Sequence, residues 1–80
     1  MLTEYIEAAM ARAVISPLED APDFVGEIPG LDGVWAAATS TDACRRELQE
    51  VLESWILLRL TRRFPIPALD GIDLTVVVVD

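Results

Sequence analysis

The stretch that decides the fold is Gly26-Glu27-Ile28-Pro29-Gly30-Leu31-Asp32-Gly33-Val34-Trp35-Ala36. It reads as strand, Pro-Gly turn, a further glycine, and strand again. Phe24 to Ile28 alternates, which puts Phe24, Gly26 and Ile28 on one side and Val25 and Glu27 on the other. Pro29-Gly30 stops that strand, because Pro presets φ and Gly accepts positive φ. Gly33 releases the next strand, Val34 to Ala38, with one of Val34 and Trp35 facing the interior. Glycines placed between two strands do not form a phosphate cradle, which needs them between a strand and a helix start.

Moving outward towards the N-terminus, Ala13 to Leu18 has β character, and Pro17 marks an edge, a bulge or a strand end because it has no N–H to donate. Glu19-Asp20-Ala21-Pro22-Asp23 is a polar turn. Three short strands with tight loops predict an antiparallel meander. Before them, residues 3–12 predict a short helix capped by Thr3, with Leu2, Ile6, Ala9, Met10 and Ala13 on its apolar face.

Moving outward towards the C-terminus, Ser40 is the N-cap of a long helix with the apolar stripe Cys44, Leu48, Val51, Leu52, Trp55 and Leu58. From Trp55 to Leu60 the apolar character spreads all round, so one sheet does not cover it. Arg59, Arg62 and Arg63 gather at the C-terminal end, where the dipole favours cations, and Pro65 and Pro67 are expected to end the helix. Asp70-Gly71 is a turn, and Leu74 to Val79 is the strongest β signal in the chain. The expected fold is α+β: an N-terminal helix, a three-stranded antiparallel meander, a crossover helix and a fourth strand parallel to the first. The predicted strand order is 3-2-1-4, in one domain spanning residues 1–80.

The 80 residues hold 14 acids against six bases, all arginine, for a net charge of -8. That balance argues against nucleic-acid binding, which rests on phosphate neutralisation, and against anionic membranes. It suits a basic protein partner. No apolar run approaches the roughly 20 residues of a membrane span. The acidic start does not read as a targeting peptide, and the lone cysteine fits a reducing compartment, so a cytoplasmic location is expected.

Catalytic chemistry finds little footing. With no histidine, the usual Ser-His-Asp and Cys-His systems are absent. Cys44 sits in the first turn of the long helix, where a dipole favours thiolate, but its place on the apolar stripe reads as a buried, inert thiol. The pairs Asp20 with Asp23 and Asp70 with Asp73 fall in turns, where Asp caps backbone groups, and Asp70-Gly71-Ile72-Asp73 lacks the ligand spacing of a calcium loop. No catalytic residue, metal or cofactor is expected. A core this small, together with the apolar helix end and the valine run, predicts a homodimer through Ile56, Leu57, Leu60, Val76 and Val78.

The pattern Phe24-x-Gly26-x-Ile28-Pro29-Gly30-x-x-Gly33-Val34-Trp35-Ala36, then Ser40 and Cys44-Arg45-x-x-Leu48-x-x-Val51-Leu52-x-x-Trp55, resembles the HicB-like antitoxin family over roughly residues 13–79. The resemblance implies a reduced ribonuclease-H-like β-β-β-α-β core and a non-enzymatic antitoxin. Such a protein would bind and mask a small basic ribonuclease toxin of the HicA type and form homo-oligomers. Many relatives add a DNA-binding domain after this core. This sequence is expected to lack one, and so to make no direct nucleic-acid contact. The toxin-facing surface is expected around Glu19, Asp20, Asp23 and Glu27. The alternative is an orphan structural or ligand-binding homodimer of the same fold with no toxin.

Overall fold

The computed structural model describes residues 2–72 and Leu74. Its elements are α1 (Leu2–Ala11), β1 (Val14–Pro17), β2 (Phe24–Glu27), β3 (Trp35–Ala38) and α2 (Thr41–Arg62). The three strands pair antiparallel in the order β1-β2-β3. The architecture is α+β with the expected meander. Pro17 closes β1, an outer strand of this three-stranded sheet. The expected fourth strand, with Val76 and Val78, lies outside the described residues.

The register puts Ile15, Gly26 and Ala36 side by side on one face of the sheet, and Val14, Glu27 and Trp35 side by side on the other. Helix α2 covers the first face. It starts where Ser40 caps it, the Ser40 hydroxyl accepting from the Ala43 N–H at 3.1 Å. Its buried column is Cys44, Leu48, Leu52 and Ile56, at strict i+4 spacing. Gly26 lets it approach: a Cβ on Gly26 would lie 3.1 Å from Cys44 Sγ and 3.3 Å from Leu48 Cδ2.

The 22 residues of α2 span about 33 Å, whereas four-residue strands span only about 13 Å. The helix therefore outruns the sheet. Its far half shares one apolar cluster with Tyr5, Ile28, Leu31, Val34, Ile66 and Leu69. Ile28, Leu31 and Val34 reach that cluster through two successive turns. The Leu31 N–H bonds to the Ile28 carbonyl at 3.1 Å, and the Val34 N–H to the Leu31 carbonyl at 3.3 Å. Gly30 and Gly33 take φ of 90° and 89°, conformations that L side chains rarely adopt. The result is an every-third-residue stitch, with Ile28, Leu31 and Val34 all buried.

Two helix faces differ from expectation. In α1, Tyr5, Ala9 and Met10 are buried and Leu2 is half exposed. The Tyr5 hydroxyl donates to the Pro67 carbonyl at 2.6 Å, which satisfies the polar end of a buried ring. In α2, Ile56 takes the core position and Leu58 is exposed. Ile56, expected in a dimer interface, is only 2% exposed and belongs to the core of its own chain. The apolar sequence on every side of this helix end leaves its azimuth open, and the i+4 column that begins over the sheet and continues into the core cluster decides it.

Helix α2 ends one turn before its prolines. Arg63 adopts left-handed φ of 57°, its N–H bonding to the Leu60 carbonyl, while the Phe64 N–H reaches the Arg59 carbonyl at 2.8 Å. That is a Schellman ending with arginine where glycine is usual. Arg59 turns back to lie 4.6 Å from the centroid of Trp55, with its guanidinium donating to the Pro65 carbonyl at 2.9 Å. Arg45 closes the end of α1 by donating to the Met10 carbonyl at 3.2 Å. Leu69 and Ile72 exchange backbone hydrogen bonds across the Asp70-Gly71 turn, and Arg12 pairs with the Asp70 carboxylate.

Candidate functional site

The four carboxylates expected to form one surface fall at two ends of the sheet. Glu19 and Asp20 are exposed in the β1–β2 turn. Asp23 stands beside them, half buried, its backbone carbonyl accepting from the Leu18 N–H at 2.9 Å. Glu27 lies at the opposite end of β2, on the face that no described element covers. There it is paired in register with Val14 on one side and Trp35 on the other.

That open face is the feature sequence reasoning missed. Val34 points into the core, so alternation sends Trp35 outward, where it is 61% exposed. Val14 is 48% exposed, and Val25 and Ala37 fill the neighbouring row. Glu27, Trp35 and Asp32 border a shallow groove of about 330 Å³ along the Pro29-Gly30 turn. The face thus offers an indole plane, two carboxylates and aliphatic surface within one patch. The clue available beforehand was the choice between Val34 and Trp35: the more compact residue fits the closely packed interior.

Of the expected interface residues still exposed, Leu57 is 66% accessible on the outer side of α2, while Leu60 is half buried against the core cluster. Val76 and Val78 lie outside the described residues.

The thiol of Cys44 is buried between the sheet and α2. It points at the Ala36 and Phe24 carbonyls, at 3.6 and 3.8 Å. Burial pushes its pKa up, and the Glu47 carboxylate adds to the shift. A protonated thiol donating to backbone carbonyls is a packing group. Among the described residues no three His, Cys, Asp or Glu side chains converge as metal ligands, and no helix is long and apolar enough to cross a membrane.

These features define a small acidic α+β domain with one sheet face under a helix and the other left open by the described residues. A family model described as UPF0150-like matches residues 4–67, and the chain belongs to that family. The chain is also similar to a solved structure, that of TTHA0281 from Thermus thermophilus. The two are 41% identical with a TM-score of 0.87, over 94% of this chain and 93% of that one. The comparison with curated proteins gives no match.

Proposed function

We propose that this chain is a HicB-like antitoxin: a non-enzymatic domain that binds and masks a small basic ribonuclease toxin of the HicA type, in the cytoplasm. The observation that carries this reading is the Gly26–Ala36 motif, which resembles the HicB-like family and lies inside the UPF0150-like match, on a chain of net charge -8. In this reading Leu74 to Val79 is the fourth strand, parallel to β1, and completes the reduced ribonuclease-H-like arrangement.

The test is co-expression with the product of the adjacent reading frame. The expected result is a stable complex with a small basic protein whose ribonuclease toxicity is suppressed. Unrelieved toxicity, or a neighbour that is neither basic nor toxic, contradicts the reading.

The second reading is an orphan homodimer with no toxin. It is favoured by the apolar side chains that α2 and its end leave in solvent, with Leu57, Leu58 and Phe64 each about half exposed or more. Light scattering at micromolar concentration tests the association that both readings include. A monomer mass contradicts the dimer.

A further inference from the structure

The charge of this protein is distributed unevenly between its layers. Residues 13–40, which hold all three described strands and their loops, contain five acids and no base. The acids are Glu19, Asp20, Asp23, Glu27 and Asp32. All six arginines lie outside that segment, at positions 12, 45, 46, 59, 62 and 63. The sheet layer therefore carries five of the eight net negative charges, and the two helices with the C-terminal segment share the other three.

We propose that the open face of the sheet, centred on Glu27 and Trp35, is the docking surface for an arginine- or lysine-bearing protein partner. This rests on the antitoxin reading for the partner's biological identity and on the structure for the surface. Glu27 and Trp35 are directly opposed in the β2–β3 register, which holds their Cβ atoms about 5 Å apart. One guanidinium entering between them pairs with the carboxylate and lies on the indole face at the same time. Val14, on the far side of Glu27, and Val25, in the next row, supply apolar surface for the stem of that side chain. Asp32 stands at the edge of the adjoining groove to receive a second cation.

Charge also selects against the other occupants of this face. A second copy docked face to face would set two all-acidic layers against each other, which like-charge repulsion opposes. The segment from Leu74 to Val79 carries no base to meet Glu27 or Asp32.

The experiment is a titration of the full chain with a hexa-arginine peptide at low salt. It is followed by amide and indole NMR shifts, with a hexa-glutamate peptide as control. The expected result is that the Trp35 indole and the β1–β3 amides shift, while the outer face of α2 stays still. Trp35→Ser and Glu27→Gln should each weaken binding about threefold, and together about tenfold. Leu57→Ser, at an equally exposed position on α2, should not change it.

Shifts spread evenly over the helices, or unchanged affinity in both sheet variants, overturn the proposal. So does a wild-type dimer that Trp35→Ser converts to monomer without any peptide shift at this face. The two readings fail separately. Intact peptide binding with no toxin suppression counts against the antitoxin function alone. Toxin suppression that survives Trp35→Ser with Glu27→Gln counts against this surface alone.

Discussion

On the face under α2, the central row of the sheet runs Ile15, Gly26, Ala36; on the other face, one residue along, it runs Val14, Glu27, Trp35. The covered row narrows to a glycine and an alanine where the helix comes closest. The open row carries the largest side chain in the sheet, more than half in water. Small residues on the covered side are explained by packing, since nothing larger than hydrogen fits between Gly26 and Cys44 without displacement. The open side has no such explanation. An exposed indole opposite a carboxylate contributes little to folding, and the proposed docking surface gives it a role that packing does not.

The contrast can be broken first at the covered face. Leu48 is fully buried in the middle of the α2 column. Leu48→Ala should destabilise by about 3 kcal/mol, from lost burial plus the cavity left behind. For a domain this small that lowers Tm by well over 10 °C, at about 4–8 °C per kcal/mol. A calorimetric scan showing less than a few degrees would mean that α2 does not seal the sheet.

Gly26→Ala comes next. Its Cβ would sit 3.1 Å from Cys44 Sγ, 3.3 Å from Leu48 Cδ2 and 3.4 Å from Ile15 Cγ1. Overpacking of this kind costs about 1–3 kcal/mol. Placing Gly26→Ala in a Cys44→Ala background removes the closest atom. The double variant should therefore be more stable than the sum of the two single changes predicts. Strict additivity in denaturant titrations would deny the close approach.

Away from both faces, Arg63→Gly should stabilise by up to about 1 kcal/mol, because glycine takes the left-handed ending without strain. The lost cation at the helix end offsets part of the gain. Thermal melts of the two proteins side by side check the sign, and a lowered Tm would mean that the arginine side chain holds the ending.

A smaller effect comes from pH. The Cys44 thiol has its pKa raised in the folded state, by burial first and by Glu47 second. The unfolded chain therefore releases that proton at lower pH than the folded one. The stabilisation is fully present below the unfolded thiol value of about 8.5 and is lost as pH rises towards the folded value. Stability measured from pH 7.5 upward should fall, and Cys44→Ala should flatten the profile at its alkaline start. An unchanged slope in that variant would place the titration elsewhere.

Much of the fold was legible because local chemistry and tertiary need agreed. Pro29-Gly30, Gly33 and the Ser40 cap mark their boundaries by backbone requirements that no context overrides. The alternation in Phe24 to Ile28 fixed the facing of Gly26 and Ile28 directly. What stayed hidden depended on azimuth and on distant partners. Tyr5 is absent from the apolar face that helical spacing picks out, and its burial depends on Pro67, 62 residues away, accepting from its hydroxyl. Ile56, Leu57 and Leu58 are equivalent apolar neighbours in sequence, and only the assembled core beyond the sheet sorts Ile56 inward from the two exposed leucines. The run of acids without a base is visible in the sequence, but the split of Glu19, Asp20 and Asp23 from Glu27 to opposite ends of the sheet depends on the strand pairing.

One face of the sheet builds the fold, and the other is the proposed docking surface. Trp35→Ser tests this division most directly, with melting temperature and suppression of the neighbouring gene product's toxicity measured on the same variant. The expected result is a stability change within about 0.5 kcal/mol, as for an ordinary exposed position, together with weakened suppression. Full suppression, or a melting temperature lowered as far as by Leu48→Ala, would contradict it.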